Sequence, residues 1–105
     1  MNWFYKGLEL TSEEYDKLRR QFAGWSIVGL EQRISLHLDE VLYAWAHAIF
    51  KLGEGYNTFW PALCKDVFGR SSSEDIMWKR LYHVVSKIVS ERYGISEGGL
   101  RGWFF

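Results

Sequence analysis

The chain has 105 residues, and its thirteen Lys and Arg balance thirteen Asp and Glu for a formal net charge of +0 at pH 7. That balance excludes the long-range field that steers proteins to nucleic acid or acidic membranes, and the single cysteine, Cys64, excludes an intramolecular disulfide and a cysteine-rich zinc site. The length predicts one domain, 1–105, and no uncharged apolar run approaches membrane-spanning length.

The chain opens on an aromatic triplet, Trp3-Phe4-Tyr5, with no basic segment leading into an apolar one, so no secretory signal is predicted. With one cysteine this points to a reducing, cytoplasmic setting. Six Trp, six Tyr and seven Phe make the chain 18% aromatic. Rings at that density serve a dense core, a binding face, or both.

Thr11-Ser12-Glu13-Glu14 fits a capping box, with Thr11 as N-cap and Glu14 at the third helical position. Leu10 and Tyr15 stand where a hydrophobic staple requires them. Tyr15, Leu18, Phe22 and Trp25 follow at steps of three and four, acids come early and Lys17, Arg19 and Arg20 late. A helix over 12–23 is predicted, stopped by Gly24.

Leu38, Val41, Leu42, Trp45, Ile49 and Leu52 form an apolar stripe ending at Gly53, and Leu30 and Ile34 extend it backwards. One helix over 30–52, broken near Ser35, is the preferred reading. Ile34-Ser35-Leu36-His37-Leu38 also alternates with the strand period, so strand competes with helix over 33–38.

A third helix is predicted with Thr58 as its cap, Pro61 in the first turn and Gly69 as its end. A fourth starts from the serine run at 71–73 and follows Met77, Leu81, Val84, Val85, Ile88 and Val89 to Tyr93 and Gly94. The expected fold is an all-α bundle of four to five helices. Its glycine-rich tail, 95–105, ends in Trp103-Phe104-Phe105 and is expected to pack back on the bundle. The same features suit a module of a larger assembly.

Chemistry-bearing patterns are sparse. His37, His47 and His83 show no metal-ligand spacing, and His37 and His47, ten residues apart, stand roughly 80° apart around a helix. His37 with Asp39 and Glu40 is the least poor metal candidate, and surface histidines are the plain reading. Cys64 sits in an apolar pattern and reads as an inert packing thiol. No phosphate-cradling glycine loop is present. No cofactor and no enzymatic activity are therefore expected.

The reading favoured is a protein partner or self-association, through exposed aromatic anchors at Trp60, Trp78, Tyr82, Trp103, Phe104 and Phe105. Two alternatives come from other classes. The helices near 59–68 and 73–93 loosely follow a helix-turn-helix plan in which Arg70, Lys79 and Arg80 would meet DNA, although Glu74 and Asp75 would repel phosphate. An aromatic-lined pocket would instead suit a small ligand or an enzyme.

Overall fold

A computed structural model describes residues 2–23, 25, 29–68 and 75–94. The described residues form six helices and no strand: α1 (Asn2–Glu9), α2 (Ser12–Gln21), α3 (Leu30–Leu36), α4 (Leu38–Lys51), α5 (Tyr56–Phe68) and α6 (Asp75–Tyr93). The all-α class holds. The 30–52 stretch is two helices, and the count exceeds four to five because α1 was not anticipated. The tail at 95–105 lies outside the described residues.

α4 is the central helix. α1, α2, α3 and α6 pack on it, and the rings of Phe59 and Trp60 bring α5 to its Trp45. Leu38, Leu42, Ala44, Ala46 and Ala48 are all fully buried. The alanines let neighbouring backbones approach. The closest approach is at Gly7 of α1, where an added Cβ would stand 2.6 Å from Ala46 Cβ and 2.7 Å from the Tyr43 carbonyl oxygen. Glycine weakens a helix interior by about 1 kcal/mol relative to alanine. Here it allows backbone contact that no side chain could permit.

α2 starts as its sequence dictates. Thr11 Oγ1 accepts the Glu14 N–H at 3.1 Å, and Glu14 Oε1 accepts the Thr11 N–H at 3.0 Å. The Thr11 N–H, then the Thr11 side chain, hold the Glu14 carboxyl below its ordinary range. Leu10 and Tyr15 are both buried, as a staple requires. α2 ends at Gln21 with Phe22 as C-cap, two residues short of the expected stop.

The break between α3 and α4 falls two residues past Ser35, at His37, whose φ −115° and ψ 24° leave the helical region. The strand alternative for 33–38 does not hold: Arg33 to Leu36 are helical and Leu38 opens α4. Ile34 and Leu38, four apart, are both fully buried. Leu36, which completed the alternation, instead points outward.

α5 begins at Tyr56, so Thr58 lies inside it. The Gly55 carbonyl accepts from the Thr58 and Phe59 N–H groups. Pro61 accordingly sits in the second turn, where its missing N–H would have faced the carbonyl of Asn57, an exposed residue open to water. Gly53, at φ +68°, follows the end of α4 in a backbone conformation that glycine adopts without strain. Leu52, counted at the end of the α4 stripe, is exposed beyond it.

On α6 the buried face is Trp78, Leu81, Val85, Ile88 and Val89, while Met77 and Val84 are only partly buried. The core-facing stripe keeps Leu81, Val85, Ile88 and Val89 of the expected set and is turned away from Met77 and Val84 toward Trp78. That rotation turns Trp78 inward. No helix among the described residues is long and apolar enough to cross a membrane.

Candidate interaction site

Trp60, Trp78 and Tyr82 do come together in one chain of rings, with Tyr56 between Trp78 and Tyr82. The Tyr56 ring lies 5.1 Å from Trp78 and 4.7 Å from Tyr82, and Trp60 lies 5.1 Å from Tyr82, all in edge-to-face contact. Trp60 continues inward to Trp45 at 5.4 Å and Phe59 at 5.2 Å. Such pairs are worth about 0.5–1.5 kcal/mol each beyond the area they bury.

The cluster corrects one expectation. Trp60 is 0% exposed and Trp78 5%, so neither presents a ring to a partner. Trp60 closes the α4–α5 interface, and the rotated face of α6 carries Trp78 into the core. Tyr82 is half-buried. Trp103, Phe104 and Phe105 lie outside the described residues, as does Arg70. Lys79 and Arg80 are exposed on α6, with Lys79 Nζ 5.6 Å from the centre of the Trp78 ring.

A second constellation, polar and partly buried, ties four helices together. His47, expected at the surface, is buried. Its Nδ1 lies 3.1 Å from the carbonyl oxygen of Gly7, which can only accept, so Nδ1 carries the proton. The imidazole stacks on Tyr15 with ring centres 4.5 Å apart. Arg19 Nη1 donates to the Tyr15 hydroxyl at 2.8 Å, and Arg19 Nε donates to Asp66. Burial pushes the Tyr15 hydroxyl above its ordinary range, against the pull of Arg19. Burial also works against the Arg19 charge, yet Tyr15 and Asp66 outweigh it and Arg19 titrates above its ordinary value. The hydroxyl is held neutral and the cation is matched by a carboxylate. This arrangement fastens α1, α2, α4 and α5 and offers no activated group to a substrate.

A third feature lies at the surface, where the end of α6 meets the α3–α4 junction. Arg92 Nη2 donates to the Ser35 carbonyl at 2.7 Å and to Ser35 Oγ at 3.2 Å. The Tyr93 hydroxyl donates to Asp39 Oδ1 at 2.9 Å. Burial, then the bond to Asp39, raises the Tyr93 hydroxyl above its ordinary range. Between Ser35 and Asp39 in sequence stands Leu36, 75% exposed, and Tyr93, bonded to Asp39, is 40% exposed. His37 completes the junction, its ring 5.6 Å from that of Trp25.

Sequence reasoning did not single out this corner. Its one signal was Leu36 itself, an apolar residue out of phase with the Ile34–Leu38 helical stripe.

Of the remaining candidates, Cys64 is fully buried. Among the described residues no three His, Cys, Asp or Glu converge as a metal would need. A cleft of about 280 Å³ between α1, α2 and α4 has Leu10, Leu18 and Tyr43 in its lining and Lys6, Lys17 and Glu40 among its charges. Tyr43 is the one aromatic residue in its lining. No protein-family model, no curated protein and no solved structure matches this chain.

Proposed function

We propose that the chain is a non-catalytic, cytoplasmic helical module that works by contact with a protein partner or a second copy of itself, and that its contact surface is the corner at Leu36 and Tyr93. The observation that carries this reading is Leu36, three-quarters exposed on a junction fixed from both sides. Arg92 holds Ser35 and Tyr93 holds Asp39, so the groups flanking Leu36 are ordered before any partner arrives. Preordered surface loses less entropy on binding. Tyrosine and arginine beside an apolar residue is also the composition favoured at binding hot spots.

Tyr82 remains a peripheral member of the proposed surface. The segment bearing Trp103, Phe104 and Phe105 follows Tyr93 and Gly94 in sequence, so these rings are tethered to the same corner by roughly 30–40 Å of chain at most. They stay in the proposed anchor set, whereas Trp60 and Trp78 leave it.

The test has two arms. The mass of the chain is followed by light scattering across a tenfold concentration range, for the wild type and for Leu36→Asp. Separately, a photo-crosslinking residue at position 36 is compared with one at the exposed position 13, in extracts of the protein's own cells. Concentration-dependent mass abolished by Leu36→Asp, or a defined adduct from position 36 alone, supports the corner. A strict monomer with no position-36 adduct sinks it.

A further inference from the structure

The cleft between α1, α2 and α4 shares no residue with the Leu36 corner. Its walls follow from the antiparallel run of α2 against α4. Tyr15 stacks on His47, and Trp25, beyond the end of α2, lies beside His37 at the start of α4. Lys17 and Leu18 of α2 therefore stand across the cleft from Glu40 and Tyr43 of α4. Leu10, buried between α1 and α2, joins half-buried Leu18 and Tyr43 in an apolar floor.

Four charged residues line this cleft, and two of them are matched within the protein. Glu14 Oε1 accepts the Thr11 N–H, and the Lys6 ammonium also favours that carboxylate. Lys17 and Glu40 are different. They face one cleft from opposite helices, yet neither forms an ion pair with the other or with any described residue. Burial, then the carboxylates of Asp39 and Glu40, raises the Tyr43 hydroxyl above its ordinary range, so this ring adds no charge to the floor.

A cation and a carboxylate that flank an apolar floor without meeting suit a molecule carrying the opposite pair of charges on an apolar body. Charge-assisted hydrogen bonds of this kind are stronger than neutral ones. At about 280 Å³ the cleft falls just short of the pockets that enclose drug-sized molecules, so its occupant is small.

We propose that the cleft binds a free α-amino acid with an apolar side chain, its carboxylate on Lys17, its ammonium on Glu40 and its side chain against Leu10, Leu18 and Tyr43. An apolar acid would leave Glu40 unmatched, an apolar amine would leave Lys17 unmatched, and glycine would leave the floor uncovered. Binding here is independent of the Leu36 corner.

The isotope-labelled full chain is titrated with phenylalanine and with leucine into the millimolar range, and its amide shifts are followed by NMR. Saturable shifts are expected around Leu10, Lys17, Leu18, Glu40 and Tyr43. Lys17→Gln and Glu40→Gln should each weaken binding by about tenfold or more, with the rest of the spectrum intact. Leu36→Asp should leave the affinity unchanged, so either proposal can fail alone. Phenylpropionate, phenethylamine, glycine and phenylalanine capped at both ends should all bind much more weakly than phenylalanine. The absence of saturable shifts, equal binding of any of those four, or full affinity in both Gln variants overturns the proposal.

Discussion

His47 holds Gly7: its Nδ1–H reaches the Gly7 carbonyl at 3.1 Å, where the α1 and α4 backbones lie close together. The Gly7 carbonyl is among the last four of α1, which have no partner within their own helix. The imidazole therefore caps α1 from α4 while the missing Cβ lets the helices meet.

Gly7→Ala should destabilise the protein, against the ordinary direction for a helical glycine. Alanine gains about 1 kcal/mol in helix propensity. Its Cβ would meet the Tyr43 carbonyl at 2.7 Å and the His47 nitrogen at 3.1 Å, both backbone atoms that cannot swing away. Overpacking of this kind costs about 1–3 kcal/mol. Urea unfolding should show a lower midpoint, and a raised midpoint would mean that α1 does not dock as described.

Arg19 and Asp66 fasten α2 to α5. Asp66→Ala should cost about 1–3 kcal/mol, in the lower part of that range because the pair is partly open to solvent. The loss comes from leaving a half-buried guanidinium between the Tyr15 and Phe59 rings without its carboxylate. Arg19→Met combined with Asp66→Ala should recover part of it. A double-mutant cycle showing no coupling between the two positions would discredit the tie.

Trp60→Ala and Trp78→Ala should each cost about 3–5 kcal/mol. A domain of this kind has roughly 5–15 kcal/mol in all, so either variant is expected to be largely unfolded by circular dichroism at 25 °C or close to it. A folded Trp78→Ala that had lost only partner binding would return Trp78 to the surface role it was first expected to play.

Alkaline pH should loosen the fold. Tyr15, Tyr43 and Tyr93 all titrate above the ordinary 10.0, burial being the first cause in each. The folded state thus favours the neutral hydroxyl. The stability so conferred is full below pH 10 and is lost as pH rises through the raised values. Tyrosinate absorbance should rise late and together with a fall in Tm, and Tyr93→Phe should remove the part due to Asp39. Titration at the ordinary value with Tm unchanged would contradict the assignment.

Local sequence made α2 legible almost to the atom, because a capping box and staple are written in six consecutive residues. The α4 stripe was equally clear. Phase was harder: Met77, Leu81, Val84 and Ile88 form as regular a stripe as Trp78, Leu81, Val85 and Ile88, and only packing against α5 selects the second. That choice of phase took Trp78 out of the interaction site. α1 went unpredicted because eight residues containing a glycine carry little helical signal of their own, and its stability comes from α4, forty positions away. The Leu36 corner is likewise built by Arg92 and Tyr93 from the far end of the chain, a proximity that periodicity cannot express.

The distance between Gly7 and His47 along the chain sets a schedule during synthesis. A helix as short as α1 does not persist alone in water. At roughly 5–20 residues per second, the ribosome delivers His47 about two to eight seconds after Gly7. For that interval α1 has no α4 to dock on. Ordering of the N-terminus must therefore be a late event in the birth of this protein, although its residues are made before those of the helix that holds them.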